Sequence, residues 1–485
     1  MSERFDAIII GGGLAGLVCG AKLSHEGMKV LLLEQHSIPG GCATTFRHKE
    51  FNIEVGLHEM DGFDGGNLKN KIFRELGVFD HIEFPQPLDF YRFVHGNTDI
   101  VVPHDVKQAQ ILFTSHFPDQ FEGITSYFDR LANYRKYRSN EYTPPRSLGT
   151  FLDAILTNDE LKLALCGNLM AFSDDPYNIS LDYFAQAQGT FHLSSGVFIK
   201  KGSQQLSNYF LDYITAHGGI VRLNHRVNKI TTVNNRATGV EYHMVADPSS
   251  CFSADAGYIV ANTSVMNVVN ELVIHPEMKS HYEKMEIGPS MYTLYLCFDT
   301  PLKDLGNRSY CTCHFPRGIR ELKDIGRTNH LGFEERNFVL TDYSQIESAL
   351  APEGKSVAVI VCDDYAPYWR KFNREDYYAE KERVERLFIR RMEDCLPGVS
   401  KHIAYHDSAT PLTIERYTRN PDGAIYGFAQ SPEKTLKSNI SRFIENLFLA
   451  SAWDKFGGGF SGAIYSGYFT GIDIMRQKRT LKTIS

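Results

Sequence analysis

Apolar and polar positions alternate in blocks at the start of the chain and predict a strand, a helix and a second strand. The apolar run at residues 7–10 predicts a short buried strand, and apolar residues then recur at helical spacing. Gly27 supplies a helix stop signal, and the run Lys29-Val-Leu-Leu-Leu before Glu34 predicts the second buried strand. This strand–helix–strand unit is typical of the parallel sheet of an α/β fold.

Glycines with the spacing Gly-x-Gly-x-x-Gly separate the first strand from the helix. Gly11 allows the tight turn, Gly13 lets a pyrophosphate approach the backbone, and Gly16 lets the helix pack closely on the strand. The positive end of the helix dipole then faces the phosphates. Glu34 ends the second strand about twenty residues later and can accept hydrogen bonds from a ribose. The glycines alone would also fit an ordinary loop, but the complete unit predicts a dinucleotide site.

The middle of the chain has a different pattern, rich in aromatic residues and without glycine motifs. Residues 51–58 still alternate like a strand, but aromatic side chains then cluster between residues 65 and 190. Residues 148–169 have the apolar spacing of helices. Two interpretations stay open here: a helical insertion with an ordinary core, and a substrate domain with a long apolar cavity lined by aromatic side chains.

The C-terminal half returns to strands and ends in a second glycine-rich loop. Alternation and β-branched residues predict strands at residues 220–223, 227–230, 237–240, 254–262, 291–298 and 357–361. A charged amphipathic helix is predicted at residues 380–392. A last buried strand precedes the glycine-rich residues 457–462, which open a helix as the N-terminal glycines do. Ala463, Gly467 and Gly471 then lie four residues apart on one helix face and allow a close approach to the first unit. We therefore expect the two ends of the chain to fold together.

Composition indicates a large globular enzyme and excludes several other classes. The 485 residues predict two or more domains, and 42% hydrophobic residues can form a sizeable core. A net charge of −7, without a dense basic patch, gives no reason to expect nucleic-acid binding. The nine cysteines show no disulfide framework, and the cluster Cys311-Thr-Cys313-His314 lacks a second pair at zinc spacing, so we expect no metal. Without a membrane-length apolar run or room for a signal peptide, we expect a cytoplasmic location.

Taken together, these motifs resemble one family of flavoproteins. The N-terminal glycines, Glu34, the pair Gly40-Gly41 and the run Glu54-x-Gly56-x-His58 are similar to those of the phytoene desaturase, carotenoid isomerase and retinol saturase family. That family commonly has Asp where this chain has Glu54, a change that keeps the carboxylate. Residues 410–427 also resemble a signature near the substrate channel of the isomerase and saturase branch.

The resemblance implies an FAD site built from both ends of the chain. Gly11, Gly13, Gly16 and Glu34 would bind the ADP half of FAD, and Gly40 and Gly41 would run past the pyrophosphate and ribityl chain. The strand with Val227 would pack against the adenine. The resemblance further assigns the pyrophosphate and ribityl region, and a helix N-terminus near the flavin pyrimidine ring, to the block that contains Gly458, Gly459 and Ala463. Ser451 stands where the family often has Gly.

The expected fold is α/β, with a discontinuous Rossmann-type FAD-binding domain and an inserted α+β substrate domain. We predict residues 1–70, 195–290 and 440–485 for the FAD-binding domain, and residues 71–194 and 291–439 for the substrate domain. The resemblance implies an oxidoreductase that desaturates, saturates or isomerises a long apolar polyene of the carotenoid or retinoid type. Alternatives are an enzyme like amine oxidase or protoporphyrinogen oxidase, and a flavin-binding protein without turnover.

Other properties are left open by the sequence or only expected. Glu54, His58, Arg416 and Tyr417 are the candidate catalytic residues, and Tyr426 is a second tyrosine expected to line the site. NAD(P)H, a quinone or oxygen could each be the electron partner. An apolar lipid substrate implies transient, peripheral contact with a membrane surface. The oligomeric state is not predicted.

Overall fold

A computed structural model describes residues 3–64, 66–138, 146–433 and 440–484. The strands, in chain order, are β1 (Glu3–Ile10), β2 (Val30–Leu33), β3 (Thr45–His48), β4 (Phe51–Glu54), β5 (Met60–Asp61), β6 (Tyr91–His95), β7 (Thr98–Val102), β8 (Gly196–Val197), β9 (Ile220–Arg222), β10 (His225–Val233), β11 (Arg236–Met244), β12 (Asp247–Ala261), β13 (Ser290–Phe298), β14 (Cys311–Phe315), β15 (Phe338–Asp342), β16 (Ser356–Asp364), β17 (Ile403–Ala409) and β18 (Leu447–Leu449).

The α-helices pack around and between the sheets. They are α1 (Leu14–His25), α2 (Leu68–Glu75), α3 (Val106–His116), α4 (Phe121–Ala132), α5 (Tyr134–Arg138), α6 (Leu148–Ile155), α7 (Asp159–Leu165), α8 (Leu181–Ser194), α9 (Gln204–Ala216), α10 (Val265–Asn267), α11 (Pro276–Tyr282), α12 (Leu322–Thr328), α13 (Ala366–Trp369), α14 (Arg374–Cys395), α15 (Pro411–Thr418) and α16 (Gly459–Ile484). No helix among the described residues is long and apolar enough to cross a membrane.

The first sheet joins the N-terminal unit to the end of the chain. Its strands run in the order β10-β11-β12-β1-β2-β9, and β18 pairs with β12 beside that path. The strands β18, β12, β1, β2 and β9 are parallel, whereas β10 and β11 form an antiparallel extension on the first half of β12. The apolar runs of β1 and β2 are buried because helices cover the parallel part of this sheet.

The two ends of the chain fold together, as the sequence predicts. Strand β18 pairs with β12 through Ile259 and Leu447. Helix α16 crosses α1 so closely that a Cβ atom on Gly467 would lie 2.2 Å from the carbonyl oxygen of Ala15. A side chain at Gly467 would therefore force the two helices apart.

The second sheet is mainly antiparallel and runs in the order β17-β13-β16-β15-β14-β6-β7. Its one parallel pair is β14 with β6. Strands β13 and β16 are buried along their whole length, which fits their nearly continuous apolar sequences. Strands β14 and β15 and helix α12 lie in the stretch between residues 299 and 356, where the sequence pattern indicates little.

The predicted amphipathic helix is longer than its sequence pattern suggests. It extends from Arg374 to Cys395, because Asn373 caps its first turn by accepting a hydrogen bond from the Asp376 backbone N–H at 3.0 Å. The apolar stripe marks only the part that packs inward.

All strands of the first sheet fall in residues 1–70, 195–290 and 440–485, and those of the second sheet fall outside these segments apart from the first residue of β13. The domain boundaries themselves stay a prediction. Helices α3 to α8 lie between β7 and β8 in the sequence, and many of their aromatic side chains form an ordinary core. Phe113, Tyr127 and Phe128, for example, are almost completely buried.

Candidate functional site

A single large cavity connects the predicted cofactor motifs with the second sheet and helix α8. Its volume is about 1850 Å³, above the roughly 300–1,000 Å³ of a typical small-molecule pocket. The glycine loops at both ends of the chain, the segment between β2 and β5, helix α8, the sheet strands and the region of α15 all contribute to its wall. A cavity of this size has room for a dinucleotide and a second molecule.

The N-terminal glycines leave space that no side chain could share. Gly11 has a φ of 100°, and a Cβ atom there would lie 2.3 Å from the backbone oxygen of Asn262. A Cβ atom on Gly13 would lie 2.7 Å from Asn262 Oδ1, and one on Gly16 would lie 2.4 Å from the Gly11 carbonyl oxygen. Gly11 therefore makes the turn and Gly16 permits the close helix–strand packing, which are the reasons given for them from the sequence.

This loop has the chemical features of an FAD pyrophosphate cradle. Helix α1 begins directly after Gly13, so its unpaired N-terminal N–H groups lie at the cavity. The buried Asn262 Oδ1 has no hydrogen-bond partner among the described residues, while its Nδ2 donates to Ala450 O at 2.6 Å. An unpartnered polar atom beside free helix N–H groups fits a site that a polar ligand completes. Asn262 was not identified from the sequence, although a polar residue after a buried strand is a usable signal.

Glu34 holds the glycine loop while it lines the cavity. Its Oε2 accepts a hydrogen bond from Gly12 N at 2.6 Å, and its Oε1 accepts one from His36 N at 2.8 Å. Each carboxylate oxygen keeps further lone pairs, so acceptance from a ribose hydroxyl is compatible with these contacts.

Gly40 and Gly41 form a second loop packed on the first. Gly40 N donates to Gly12 O at 2.8 Å, and a Cβ atom on Gly40 would lie 2.2 Å from Ala43 O. Gly41 has a φ of 61° and approaches Gly13 so closely that its Cβ atom would lie 3.4 Å from the Gly13 Cα. The two loops thus form one continuous backbone surface on the cavity wall.

The remaining predicted cofactor residues also line this cavity. Val227 is buried in β10, which forms the wall beyond Glu34. Gly458, Gly459 and Ala463 belong to the turn and first residues of α16. A Cβ atom on Gly458 would lie 2.5 Å from the Tyr426 Cα, so the turn passes directly over that tyrosine.

Ser451, where the family often has Gly, is accommodated by hydrogen bonds. Its backbone N–H donates to Ser466 Oγ at 3.1 Å, and its own Oγ accepts from Trp453 N at 3.2 Å. The hydroxyl therefore stabilises the turn that follows β18.

Glu54 does not reach the cavity. Its side chain is completely buried, and burial raises its pKa to about 7. Its oxygens accept hydrogen bonds from Ser203 N at 2.7 Å, Leu57 N at 2.9 Å and Gly56 N at 3.1 Å. These contacts assign Glu54 to positioning the chain before His58, in place of the direct catalytic contact expected from the sequence.

His58 does line the cavity. The Tyr343 hydroxyl donates to Leu57 O at 3.0 Å and accepts from His58 Nδ1 at 3.1 Å, which leaves Nε2 with the free lone pair. Burial lowers the pKa of His58 to about 4, so the ring is neutral at physiological pH.

Arg416 and Tyr417 line the cavity beside the turn that follows Glu34. His36 Nε2 donates to Tyr417 O at 2.6 Å, which places helix α15 beside the turn after Glu34. The Tyr417 ring is more than half exposed. This position favours a contact with the ADP half of the cofactor over contact with a reacting bond, whereas Tyr426 lies under the α16 turn.

A buried ion pair near the α16 turn was missed from the sequence. Lys69 is completely buried, and its Nζ donates to Asp61 Oδ1 at 2.9 Å and to Ser461 Oγ at 2.8 Å. Asp61 lines the cavity and also accepts from Ser461 Oγ. The partners come from β5, α2 and α16, so local sequence patterns contain no signal for their meeting. The neighbouring acid Glu59, which also lines the cavity, was missed too.

Beyond these polar groups, the cavity wall becomes mainly aromatic and aliphatic. The side chains come from helices α8, α15 and α16, the second sheet and connecting segments: Met170, Phe172, Tyr183, Phe191, Met291, Tyr295, Val339, Val361, Leu412, Ile425 and Phe460. Of the aromatic segments noted in the sequence, only some therefore face the cavity, and both open interpretations describe part of the region.

Comparisons with known proteins agree with this site. A family model described as flavin containing amine oxidoreductase matches residues 14–470. The chain is 24% identical over 475 residues to the chloroplastic prolycopene isomerase of Daucus carota, covering 90% of this chain and 74% of that protein. It is 22% identical over 551 residues to the all-trans-retinol 13,14-reductase of Danio rerio, covering 100% of this chain and 88% of that protein.

The fold is similar to that of cyclohexylamine oxidase from Brevibacterium oxydans, with a TM-score of 0.67 at 15% identity, covering 98% of this chain and 99% of that one. The predicted α/β fold and the resemblance to carotenoid- and retinoid-acting flavoenzymes are confirmed by these matches. The chain belongs to the flavin-containing amine oxidoreductase family and is an FAD-dependent oxidoreductase.

Proposed function

We propose that this enzyme desaturates, saturates or isomerises a long apolar polyene of the carotenoid or retinoid type. The observation that carries the proposal is the apolar, aromatic wall of the cavity beyond the cofactor motifs. The hydrocarbon chain of a polyene has no polar handle, so its binding depends on buried apolar area, at about 25 cal/mol per Å². A long cavity wall of this kind supplies such area.

Three acidic groups of the cavity fit a polyene better than an amine. Asp61 forms an ion pair with Lys69 at 2.9 Å, and Asp407 forms one with Lys381 at 2.7 Å. Burial raises the pKa of Glu59 well above its ordinary value, which keeps that carboxyl group neutral. A cationic amine needs a carboxylate whose charge is available, and these three groups do not offer one.

Relatives named for polyene reactions support the same substrate class, whereas the family description and the cyclohexylamine oxidase fold keep an amine as the second candidate. Protoporphyrinogen-type oxidation and flavin binding without turnover are further outcomes that the experiment distinguishes.

The protein's own contribution would be binding, orientation and exclusion of water. FAD, when bound, supplies hydride transfer at its flavin ring. The two N-terminal loops would hold its ADP half, and the N-terminus of α16 would stabilise negative charge on the reduced ring. The aromatic wall would hold one bond of the polyene against that ring and keep solvent away. NAD(P)H, a quinone and oxygen all stay open as the electron partner.

Contact with a membrane surface is part of this proposal. Leu68 and Leu193 line the cavity and are yet 39% and 37% exposed, so they lie at an opening. Helix α5 adds Arg135 to the same wall, where Arg135 and Lys136 are exposed and Tyr134 is buried. Basic side chains beside exposed leucines are typical of a surface that touches lipid headgroups.

The test is to incubate oxidised and chemically reduced holoenzyme anaerobically with a carotenoid or retinoid, with a primary amine and with a porphyrinogen. We expect only the polyenes to change the flavin spectrum or to be rearranged, as chromatography would show. Turnover confined to the amine or the porphyrinogen would contradict the proposal. A cofactor that no compound reduces or reoxidises would support binding without turnover.

A further inference from the structure

Glu59 brings a carboxyl group to the cavity beside the predicted flavin ring. It lines the cavity directly before β5, and its side chain is only 10% exposed. Two residues later, Asp61 accepts a hydrogen bond from Ser461 in the first turn of α16. Glu59 therefore lies where the N-terminal segment meets the helix expected to face the flavin.

The Glu59 carboxyl group has an unused hydrogen-bonding oxygen. Its Oε1 has no hydrogen-bond partner among the described residues. His104 Nε2 lies 3.6 Å from this oxygen, and that nitrogen also has no hydrogen-bond partner in the described part of the chain. A buried polar group without a partner costs stability, so its presence in a cavity wall indicates a function.

The surroundings fix the carboxyl group and exclude water from one side. A Cβ atom on Gly196 would lie 1.2 Å from Glu59 Oε1, so the carboxyl group lies directly against the backbone of β8. Phe90 stacks on the His104 ring at 5.3 Å between centroids and on Phe191 at 5.2 Å. Phe191 itself lines the cavity, which makes the wall behind the pair aromatic and dry.

The charges around the pair favour a protonated Glu59. Burial, with the nearby Cys311 and Asp61, raises the pKa of Glu59 well above its ordinary value. Burial and the neighbouring His192 lower the pKa of His104 to about 4. Lys69 pairs with Asp61 and limits its effect.

His58, the residue before Glu59, is a further titratable group nearby, and burial lowers the pKa of His58 to about 4. At neutral pH, Glu59 is therefore a carboxylic acid beside the neutral imidazole of His104.

We propose that Glu59 is a catalytic acid–base residue that exchanges a proton with the polyene. In the saturating direction, one polyene carbon receives the hydride of reduced flavin. The π electron pair of the double bond then forms a C–H bond between the adjacent carbon and the Glu59 proton. Glu59 is left as a carboxylate, the flavin is oxidised, and a proton from water restores the acid. Desaturation is the reverse, with Glu59 as the base and oxidised flavin as the hydride acceptor.

His104 is a positioning residue in this scheme, because it lies beside Glu59 and is not among the residues that line the cavity. Its Nε2 is 3.6 Å from Glu59 Oε1, so the two groups pack against each other without a hydrogen bond. The inference rests on the proposed polyene chemistry, and it adds the group that supplies or removes the proton. General acid–base groups of this kind contribute about 10²–10⁴-fold to a rate.

The experiment compares wild-type holoenzyme with Glu59→Gln, Glu59→Asp and the exposed control Glu83→Gln, whose parent carboxylate pairs with Lys200. Difference infrared spectra of the loaded enzymes without substrate report a protonated, buried carboxyl group. We expect its band to vanish in Glu59→Gln and to persist in Glu59→Asp and in the control. Glu54, whose pKa burial raises to about 7, contributes a band of its own, so a wild-type minus Glu59→Gln spectrum without a lost carboxylic acid band would overturn the assignment, whether or not a substrate is known.

The second measurement is anaerobic conversion of a polyene in D₂O. We expect wild type to place deuterium on the carbon next to the one that receives the hydride, and the kcat of Glu59→Gln to fall about 100-fold or more with normal FAD content. An unchanged kcat, or a change confined to KM, would overturn the acid–base role of Glu59 and leave the proposed function standing. Wild type that binds FAD and converts no polyene would instead overturn the proposed function and this inference with it.

Discussion

Glu54 organises the cofactor site without facing it. Its carboxylate receives hydrogen bonds from Ser203 at the start of α9 and from Gly56 and Leu57 on the segment that leads to the cavity. These donors belong to chain segments that are about 150 residues apart in sequence. A single buried acceptor therefore fixes the position of His58 relative to the first sheet.

We expect Glu54→Gln to lower the free energy of unfolding by about 1–3 kcal/mol, because the new amide group would face a backbone or hydroxyl donor. Chemical denaturation of the two proteins measures the difference. Glu83→Gln is the control at the surface, and its denaturation midpoint should equal that of wild type. Equal unfolding free energies for wild type and Glu54→Gln would contradict the structural role.

The raised pKa of Glu54 also implies that the free energy of unfolding depends on pH. Burial raises the pKa of Glu54 to about 7, above the value of 4.5 expected for an unconstrained Glu. The folded chain thus holds this proton more tightly than the unfolded chain, and stability should fall as pH rises from about 4.5 to about 7. Glu54→Gln should lack this component. The measurement is the unfolding midpoint of wild type and of Glu54→Gln across that pH range. Parallel plots of midpoint against pH would contradict the predicted role of Glu54.

At the scale of elements, the crossing of α1 and α16 is the contact that closes the cofactor domain. A Cβ atom on Gly467 would lie 2.2 Å from the Ala15 carbonyl oxygen, whereas one on Gly471 would first meet the flexible Lys22 side chain at 2.9 Å. The first contact is with rigid backbone and the second with atoms that can move.

We therefore expect Gly467→Ala to lower the thermal unfolding midpoint and the FAD content, because α16 would shift and its first turn forms part of the cofactor wall. Gly471→Ala is the matched control on the same helix face and should have a much smaller effect. Thermal unfolding and the flavin absorbance per protein report both quantities. Equal effects of the two substitutions would show that helix spacing is not the limiting feature.

Elements were predictable where one local pattern determines them. The glycine spacing and apolar runs predicted β1, α1 and β2, and the four-residue spacing after Ala463 predicted the packing of α16. Glu59, Asp61 and Lys69 were not recognised, because their roles depend on partners from other elements. A local pattern likewise could not show that Glu54 is enclosed and that Tyr417 lies at the ADP end.

At the scale of the whole molecule, the cavity joins two different surfaces. Its cofactor end is formed by backbone loops of the first sheet, and its apolar end by side chains of α8 and the second sheet. Glycine motifs within a strand–helix–strand unit predict the first kind of surface. The second kind is built from aromatic residues, whose sequence pattern is also that of an ordinary core. The cofactor was therefore easier to predict than the substrate.

The opening near Leu68 and Leu193 leads to the last prediction. The two leucines lie close to the β5–β8 pair, on α2 and α8, and both are exposed while lining the cavity. We expect Leu68→Ser with Leu193→Ser to weaken binding to anionic liposomes in flotation, because about 0.8 kcal/mol is lost for each CH₂ no longer buried in lipid. Ile274→Ser is the control, since Ile274 is 97% exposed and does not line the cavity. FAD content should be unchanged in both variants. Wild-type protein that never floats with any lipid, or equal loss in the control, would contradict membrane contact at this opening.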